Sequence, residues 1–136
     1  MEGGTDDVCQ TKIGIVGCGP WGLAVLERLV VHFSLLQNHK IKAEIHIIEP
    51  STPGTGVYSK HLPDYVLLNT ECSQINLFGH TFMKPSVQMP YRAIGFYEWL
   101  RRNNYKINDY GHMRDIRPSD FVPRKWLGCY LHWVYQ

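Results

Sequence analysis

Three glycines within six residues, Gly17-Cys18-Gly19-Pro20-Trp21-Gly22, restrict the fold of this chain more than any other stretch. They follow a short apolar run, Lys12-Ile13-Gly14-Ile15-Val16, of the kind that forms a buried parallel strand. After them, apolar residues at Leu23, Leu26, Leu29, Val30, Phe33 and Leu36 are spaced by threes and fours, which makes one face of a helix. Pro20 suits the first helical turn, where a missing N–H costs little. A strand that turns through glycines directly into a helix leaves the helix's first N–H groups, and the positive end of its dipole, open to an anion.

Polar Gln37-Asn38-His39-Lys40 ends the helical pattern, and Ile41, Ala43, Ile45 and Ile47 then alternate as a second strand running to Glu49. From Ile13 to Glu49 the strand, helix and strand have the length of a βαβ unit. Each glycine has a separate task in such a unit. Gly17 permits the tight turn, Gly19 lets the backbone approach a pyrophosphate, and Gly22 lets helix and strand pack closely. Glu49 lies further past Gly22 than the roughly 20 residues usual for the acid that accepts hydrogen bonds from an adenosine ribose. A carboxylate there repels a 2′-phosphate, and Pro50-Ser51-Thr52 offers no arginine to receive one, which argues against NADP at this position. The glycines alone are a weak signal; a preceding strand, a following amphipathic helix and a strand-end acid make them a strong one. The reading is an α/β, Rossmann-like dinucleotide-binding unit for the ADP half of FAD. Cys18 reads as a packed thiol. Trp21 has two destinations, over the cofactor or over the loop at Pro53-Gly54.

The remainder is less regular. Pro50-Ser51-Thr52-Pro53-Gly54-Thr55-Gly56 is a turn-rich loop, and Tyr65-Val66-Leu67-Leu68 a short strand closed by Asn69. Cys72 to Pro90 reads as irregular, Ile94 to Arg102 as a helix burying Phe96, Trp99 and Leu100, and Asn103 to Pro123 as mostly loop. Trp126, Leu127, Tyr130, Leu131 and Val134 return to helical spacing. That helix reaches Gln136 without a glycine or basic cap, so the sequence reads as cut short, with an aromatic face left bare for self-association. Residues 1–11 are expected to be flexible, and 12–136 to form a domain truncated at its C-terminus.

Composition narrows the function classes. A chain of 136 residues is one domain's worth of protein. A formal net charge of +2, with no run of Lys or Arg, gives no footprint for nucleic acid. No stretch approaches the ~18 consecutive apolar residues of a membrane span, and the acidic start is unlike a secretory signal. Cys9, Cys18, Cys72 and Cys129 contain no Cys-x-x-Cys pair, which fits reduced thiols in a cytoplasmic protein. Cys129 and His132 have ligand-like spacing without a second pair, so no metal site is expected.

With these residues in view, the chain resembles the N-terminal part of a family of FAD/NAD(P)-binding flavoproteins, distantly similar to flavin monooxygenases and amine N-hydroxylases. The likeness rests on Ile15 to Leu29, on Glu49-Pro50 with Pro53-Gly54-Thr55-Gly56-Val57-Tyr58, and on Leu67-Leu68-Asn69. Glu98-Trp99-Leu100 and Pro123-Arg124 with Gly128-Cys129-Tyr130-Leu131 complete it. The resemblance implies that FAD lies along Gly17-Cys18-Gly19-Pro20-Trp21-Gly22 with Glu49 on the ribose, and that Asn69 and Arg124 approach the flavin. It also implies that NAD(P)H binds a second such unit. This chain has no second Gly-x-Gly-x-x-Gly, so NAD(P)H would bind through a region not present here, and no catalytic residue or small-molecule substrate is assignable. Two other readings stay open: a non-catalytic nucleotide-binding module and a SAM-dependent methyltransferase. Pro20 and the Pro-Gly-Thr-Gly-Val-Tyr loop favour the flavoprotein.

Overall fold

Alternation of apolar residues makes one face of a strand pair a packing surface. The computed structural model describes residues 9–36, 41–78 and 93–136. In it β1 (Cys9–Val16) runs parallel to β2 (Ile41–Ile48), in register from Cys9 opposite Ile41 to Val16 opposite Ile48. Ile13, Ile15, Ala43, Ile45 and Ile47 share the better-buried face. The other face carries an ion pair, Lys12 to Glu44 at 3.6 Å, with His46 Nε2 2.9 Å from the same carboxylate. The strands are joined through α1 (Pro20–Leu35), which buries Leu23, Glu27 and Val31; the Glu27 carboxylate is paired with Arg28.

Strand β1 begins three residues before Lys12, so residues 9–11, expected to be flexible, are paired with 41–43. Gln10 and Thr11 are exposed, and the ladder holds them where apolar patterning gives no sign of it. Residues 1–8, the expected break at Gln37 to Lys40, and 79–90 of the irregular stretch lie outside the described residues.

The second half supplies a cover for this unit. A 3-10 turn (Cys72–Gln74) leads to α2 (Phe96–Arg102), then β3 (Lys106–Asp109), β4 (His112–Asp115) and α3 (Arg124–Tyr135). The stretch expected to be mostly loop contains an antiparallel hairpin, β3 with β4. Its two connecting residues, Tyr110 and Gly111, both have positive φ, +50° and +88°, as the favoured two-residue hairpin turn requires. Asn108 Oδ1 accepts the Gly111 N–H at 2.8 Å. Tyrosine in that conformation is unusual, which is why the turn escapes a sequence reading. Arg114 then ties the hairpin down, donating to both Asp120 oxygens at 2.7 and 2.9 Å. Conversely, the expected strand at 65–68 is reduced to a single bridge, Leu67 with Pro123.

The core lies between the strand–helix–strand unit and α2 with α3. Leu23, Leu68, Phe96, Leu100, Val122, Tyr130 and Leu131 are all buried in it. Around them Phe96, Trp99, Tyr105, Trp126, Tyr130 and Trp133 form a continuous aromatic cluster with ring centroids 4.8–6.4 Å apart, the range of favourable ring contacts. The aromatic face of α3, expected to be bare, is partly covered: Trp126, Trp133 and Val134 pack against the core and stay half-buried. Exposed apolar surface lies instead at Val16, Trp21, Val25, Ile48, Val57 and Tyr65. No helix among the described residues is long and apolar enough to cross a membrane.

Leu100 is fully buried between these layers. Leu100→Ala is expected to cost about 2–5 kcal/mol through lost burial and the cavity left behind, measured as a lower urea midpoint at unchanged slope.

Candidate dinucleotide-binding site

The site begins where β1 ends. Gly17 takes φ +83°, a conformation that L side chains rarely adopt, and donates its N–H to Ile48 O at 2.9 Å. This turns the chain out of the sheet and into α1. Gly22 faces back onto the turn so closely that an added Cβ would stand 2.0 Å from Gly17 O. The helix is capped by Gly19 with no side-chain hydrogen bond. Pro20 has no N–H, and among the described residues the amides of Gly19, Trp21 and Gly22 have no protein acceptor. These are the orphan donors of a helix N-terminus, aimed with the positive end of the dipole. The combination suits a phosphate.

Glu49 follows β2 directly and is bonded to the turn. Its Oε2 accepts the Cys18 N–H at 2.7 Å, while Oε1 accepts the Ser51 hydroxyl at 2.7 Å and the Ser51 N–H at 3.0 Å. The Ser51 hydroxyl, followed by the Cys18 and Ser51 amides, holds this carboxyl below the usual carboxylate range. A charged, fixed acceptor thus stands beside the anion-seeking helix end. Cys18 itself is fully buried. Burial pushes its thiol up, with the Glu49 charge adding to the shift and the Gly54 hydrogen bond opposing it. That leaves the thiol protonated and unreactive.

A second loop closes over the turn. Gly54 donates its N–H to Cys18 O at 2.6 Å, and Gly56, at φ +51°, lies against Gly19 and Pro20. A Cβ on Gly56 would sit 2.9 Å from the Pro20 ring and 3.1 Å from Gly19 Cα. The amides of Gly56 and Val57 have no protein acceptor among the described residues. With this loop already seated on Gly19 and Pro20, the Trp21 indole does not cover Pro53-Gly54. It is 89% exposed. It walls a shallow hollow of about 470 Å³ with Val16, Gly17, Gly19, Gly22 and Val25.

Asn69 and Arg124 come together at a different seam. Arg124 donates through Nε to Leu67 O at 3.0 Å and through its N–H to Val66 O at 2.9 Å, and Asn69 is exposed two residues on. Among the described residues no hydrogen bond joins this seam directly to the Gly17–Gly22 turn. Sequence reasoning missed Ser51, Gly128 and His132 as parts of the arrangement. Gly128 carried a usable signal, since glycine inside a helix costs about 1 kcal/mol unless something approaches closely. Something does: a Cβ there would lie 1.8 Å from Tyr58 O.

Residues 14–136 match the FAD-NAD(P)-binding family, and the chain belongs to it. It is similar to proteins named as L-aspartate N-monooxygenase (nitrosuccinate-forming). The one from Streptomyces cremeus is 28% identical over 143 residues, 95% of this chain and 21% of that protein. The one from Streptomyces davaonensis is 25% identical over 133 residues, 93% of this chain and 20% of that protein. A nitrosuccinic acid synthase of Aspergillus oryzae is 29% identical over 129 residues, 93% of this chain and 18% of that protein. The chain thus spans about a fifth of the length of these relatives.

The Glu49 geometry makes a prediction with a defined sign. Its hydrogen bonds favour the charged form, so they are intact above the ordinary carboxylate range and are lost as pH falls through the lowered midpoint. Ser51→Ala removes the largest of these influences and is expected to move the Glu49 midpoint upward, read by side-chain carboxyl carbon shifts in an NMR titration. An unmoved midpoint would show that the hydroxyl does not hold the acid.

Proposed function

We propose that this chain forms the FAD-binding, Rossmann-like portion of a flavin-dependent N-monooxygenase that draws its electrons from NAD(P)H. The observation that carries the reading is the juxtaposition of unpartnered amides at Gly19, Trp21 and Gly22 with a fixed carboxylate at Glu49. The donor set is the complement of a pyrophosphate followed by a ribose diol. Gly22 lets the helix close onto Gly17 O, and Gly19 leaves its backbone bare beside Gly56. Gly17, Gly19 and Gly22 line the turn, Pro20 and Trp21 form its wall, buried Cys18 braces it through its backbone, and Glu49 accepts from the ribose hydroxyls. Asn69 and Arg124 stand toward the flavin side, at the start of α3 and its paired segment. Family membership and the N-monooxygenase names of the relatives support flavin redox chemistry over nucleotide sensing or methyl transfer.

When bound, the isoalloxazine supplies the redox chemistry. The described residues bind and orient its ADP end. Enclosure of the ring, the nicotinamide site and the substrate pocket belong to other parts of a longer polypeptide. Two of the relatives are named for L-aspartate, and the amine of an amino acid is the substrate class this reading carries over.

The reading is tested by titrating ADP and FAD into the 136-residue chain. ADP is expected to bind, with FAD no tighter, because an unenclosed flavin ring adds little apolar burial. Gly19→Val should abolish binding by filling the phosphate approach and pressing on Gly56. Glu49→Gln should weaken it by about tenfold or more, the order for a charge-assisted hydrogen bond lost. Wild-type affinity in both variants would overturn the site. Steady NAD(P)H oxidation by this chain alone would overturn its assignment as a binding portion.

A further inference from the structure

We infer that His132, on α3, is a positioning residue for the dinucleotide site, acting through one peptide unit of the second loop; this rests on the dinucleotide reading above. The peptide between Pro53 and Gly54 is bonded at both ends. Its carbonyl oxygen lies 3.0 Å from His132 Nδ1, and its N–H donates to Cys18 O at 2.6 Å. In a planar trans peptide these groups point in opposite directions, so the unit is a rigid strut between α3 and the phosphate turn. From Cys18 the series continues, its own N–H donating to Glu49 Oε2 at 2.7 Å. Three hydrogen bonds therefore connect a helix of the cover to the carboxylate proposed to hold the ribose.

The ring's hydrogen placement follows from its neighbours. Pro53 O can only accept, so Nδ1 carries the hydrogen. Nε2 lies 3.2 Å from the Gln136 side-chain amide nitrogen, a donor, and therefore accepts. The bonds at the two ends of the Pro53–Gly54 peptide are in series and polarise one another.

Glycines make the strut possible. At φ +90° a Cβ on Gly54 would stand 2.6 Å from Leu131 O, and the equivalent atom on Gly128 would collide with Tyr58 O. Backbone lies on backbone at both points. Buried Leu127, Tyr130 and Leu131 already anchor α3 in the core, so the imidazole is not needed to keep the helix in place. What it adds is direction. Without it the Pro53–Gly54 peptide keeps only one of its two hydrogen-bonded ends, and its hold on Cys18 O is less sharply directed.

The experiment uses the 136-residue chain and its variants His132→Leu, His132→Asn and His132→Gln, with ADP as the probe in calorimetric titrations. Amide nitrogen–proton spectra of Cys18 and Gly54 are recorded alongside. An asparagine side-chain nitrogen reaches the Nδ1 position, whereas a glutamine reaches the Nε2 position instead. His132→Leu is expected to lower the melting temperature slightly, by the loss of one neutral hydrogen bond, and to weaken ADP about three- to tenfold through the less ordered turn. It should also shift the Cys18 and Gly54 resonances. His132→Asn should restore both, while His132→Gln should resemble the leucine variant and keeps the comparison valid if leucine unfolds the chain. Wild-type ADP affinity in the leucine or glutamine variant would overturn the positioning role and leave the dinucleotide reading standing. Weakened binding with unmoved resonances, or without rescue by asparagine, would assign the effect to packing and overturn the strut. No ADP binding by the wild-type chain would overturn both.

Discussion

The contact on which the rest of this structure depends is that of the 53–58 loop, held backbone-to-backbone between the Gly17–Gly22 turn and α3. On one side Gly54 donates to Cys18 O and Gly56 presses on Gly19 and Pro20; on the other, Gly54 lies under Leu131 and Tyr58 under Gly128. A side chain at any of Gly54, Gly56 or Gly128 would meet atoms closer than 3.0 Å. Removing those side chains costs backbone entropy. The compensation is a turn whose shape is set from both sides, so that its free amides are presented in one arrangement rather than sampled among many.

That arrangement explains the electrostatics of the site. Helix α1 starts with donors that no side chain caps, next to a carboxylate that is held by Cys18 and Ser51 and keeps acceptor capacity to spare. An uncapped helix end is unfavourable alone, and a ligand anion removes the deficit. Glu49 does two jobs with two oxygens: it fastens the turn through Cys18 and remains a negative, ordered acceptor beside it. The low reactivity of the Cys18 thiol fits the same picture, since burial and a neighbouring carboxylate both disfavour the thiolate. The cysteine serves through its backbone.

Above the site, the aromatic cluster of α2 and α3 gives the cover its rigidity. Trp99, Tyr130 and Trp133 touch one another and fix the angle at which α3 crosses the loop. The Tyr130 hydroxyl donates to Ile94 O at 2.8 Å, which spares that carbonyl an unpaired burial. Part of the apolar surface left exposed lies on the βαβ side, at Val16 and Ile48 at the ends of β1 and β2 and at Trp21 and Val25 on α1.

The sequence by itself determined the strand–helix–strand unit, the turn between Gly17 and Gly22, and the place of Glu49, because each follows from local rules. Alternation marks a strand, spacing by threes and fours marks a helix face, and only glycine tolerates the φ of Gly17 without strain. It also marked α2 and α3 by their apolar spacing, though not where their faces go. It left the β3–β4 hairpin hidden, since Tyr110 at positive φ violates the usual turn chemistry and is held by Asn108 and by the Arg114–Asp120 pair. It overstated the strand near Leu67, whose pairing is limited to one bridge by the chain's course past Pro123. Only the tertiary structure decided that Trp21 stands clear of the second loop, that the aromatic face of α3 packs half-buried against the core, and that His132 reaches Pro53. Those contacts join residues 36 to 79 positions apart or depend on which space is already filled. No local pattern encodes them, because their geometry exists only after the helices have packed.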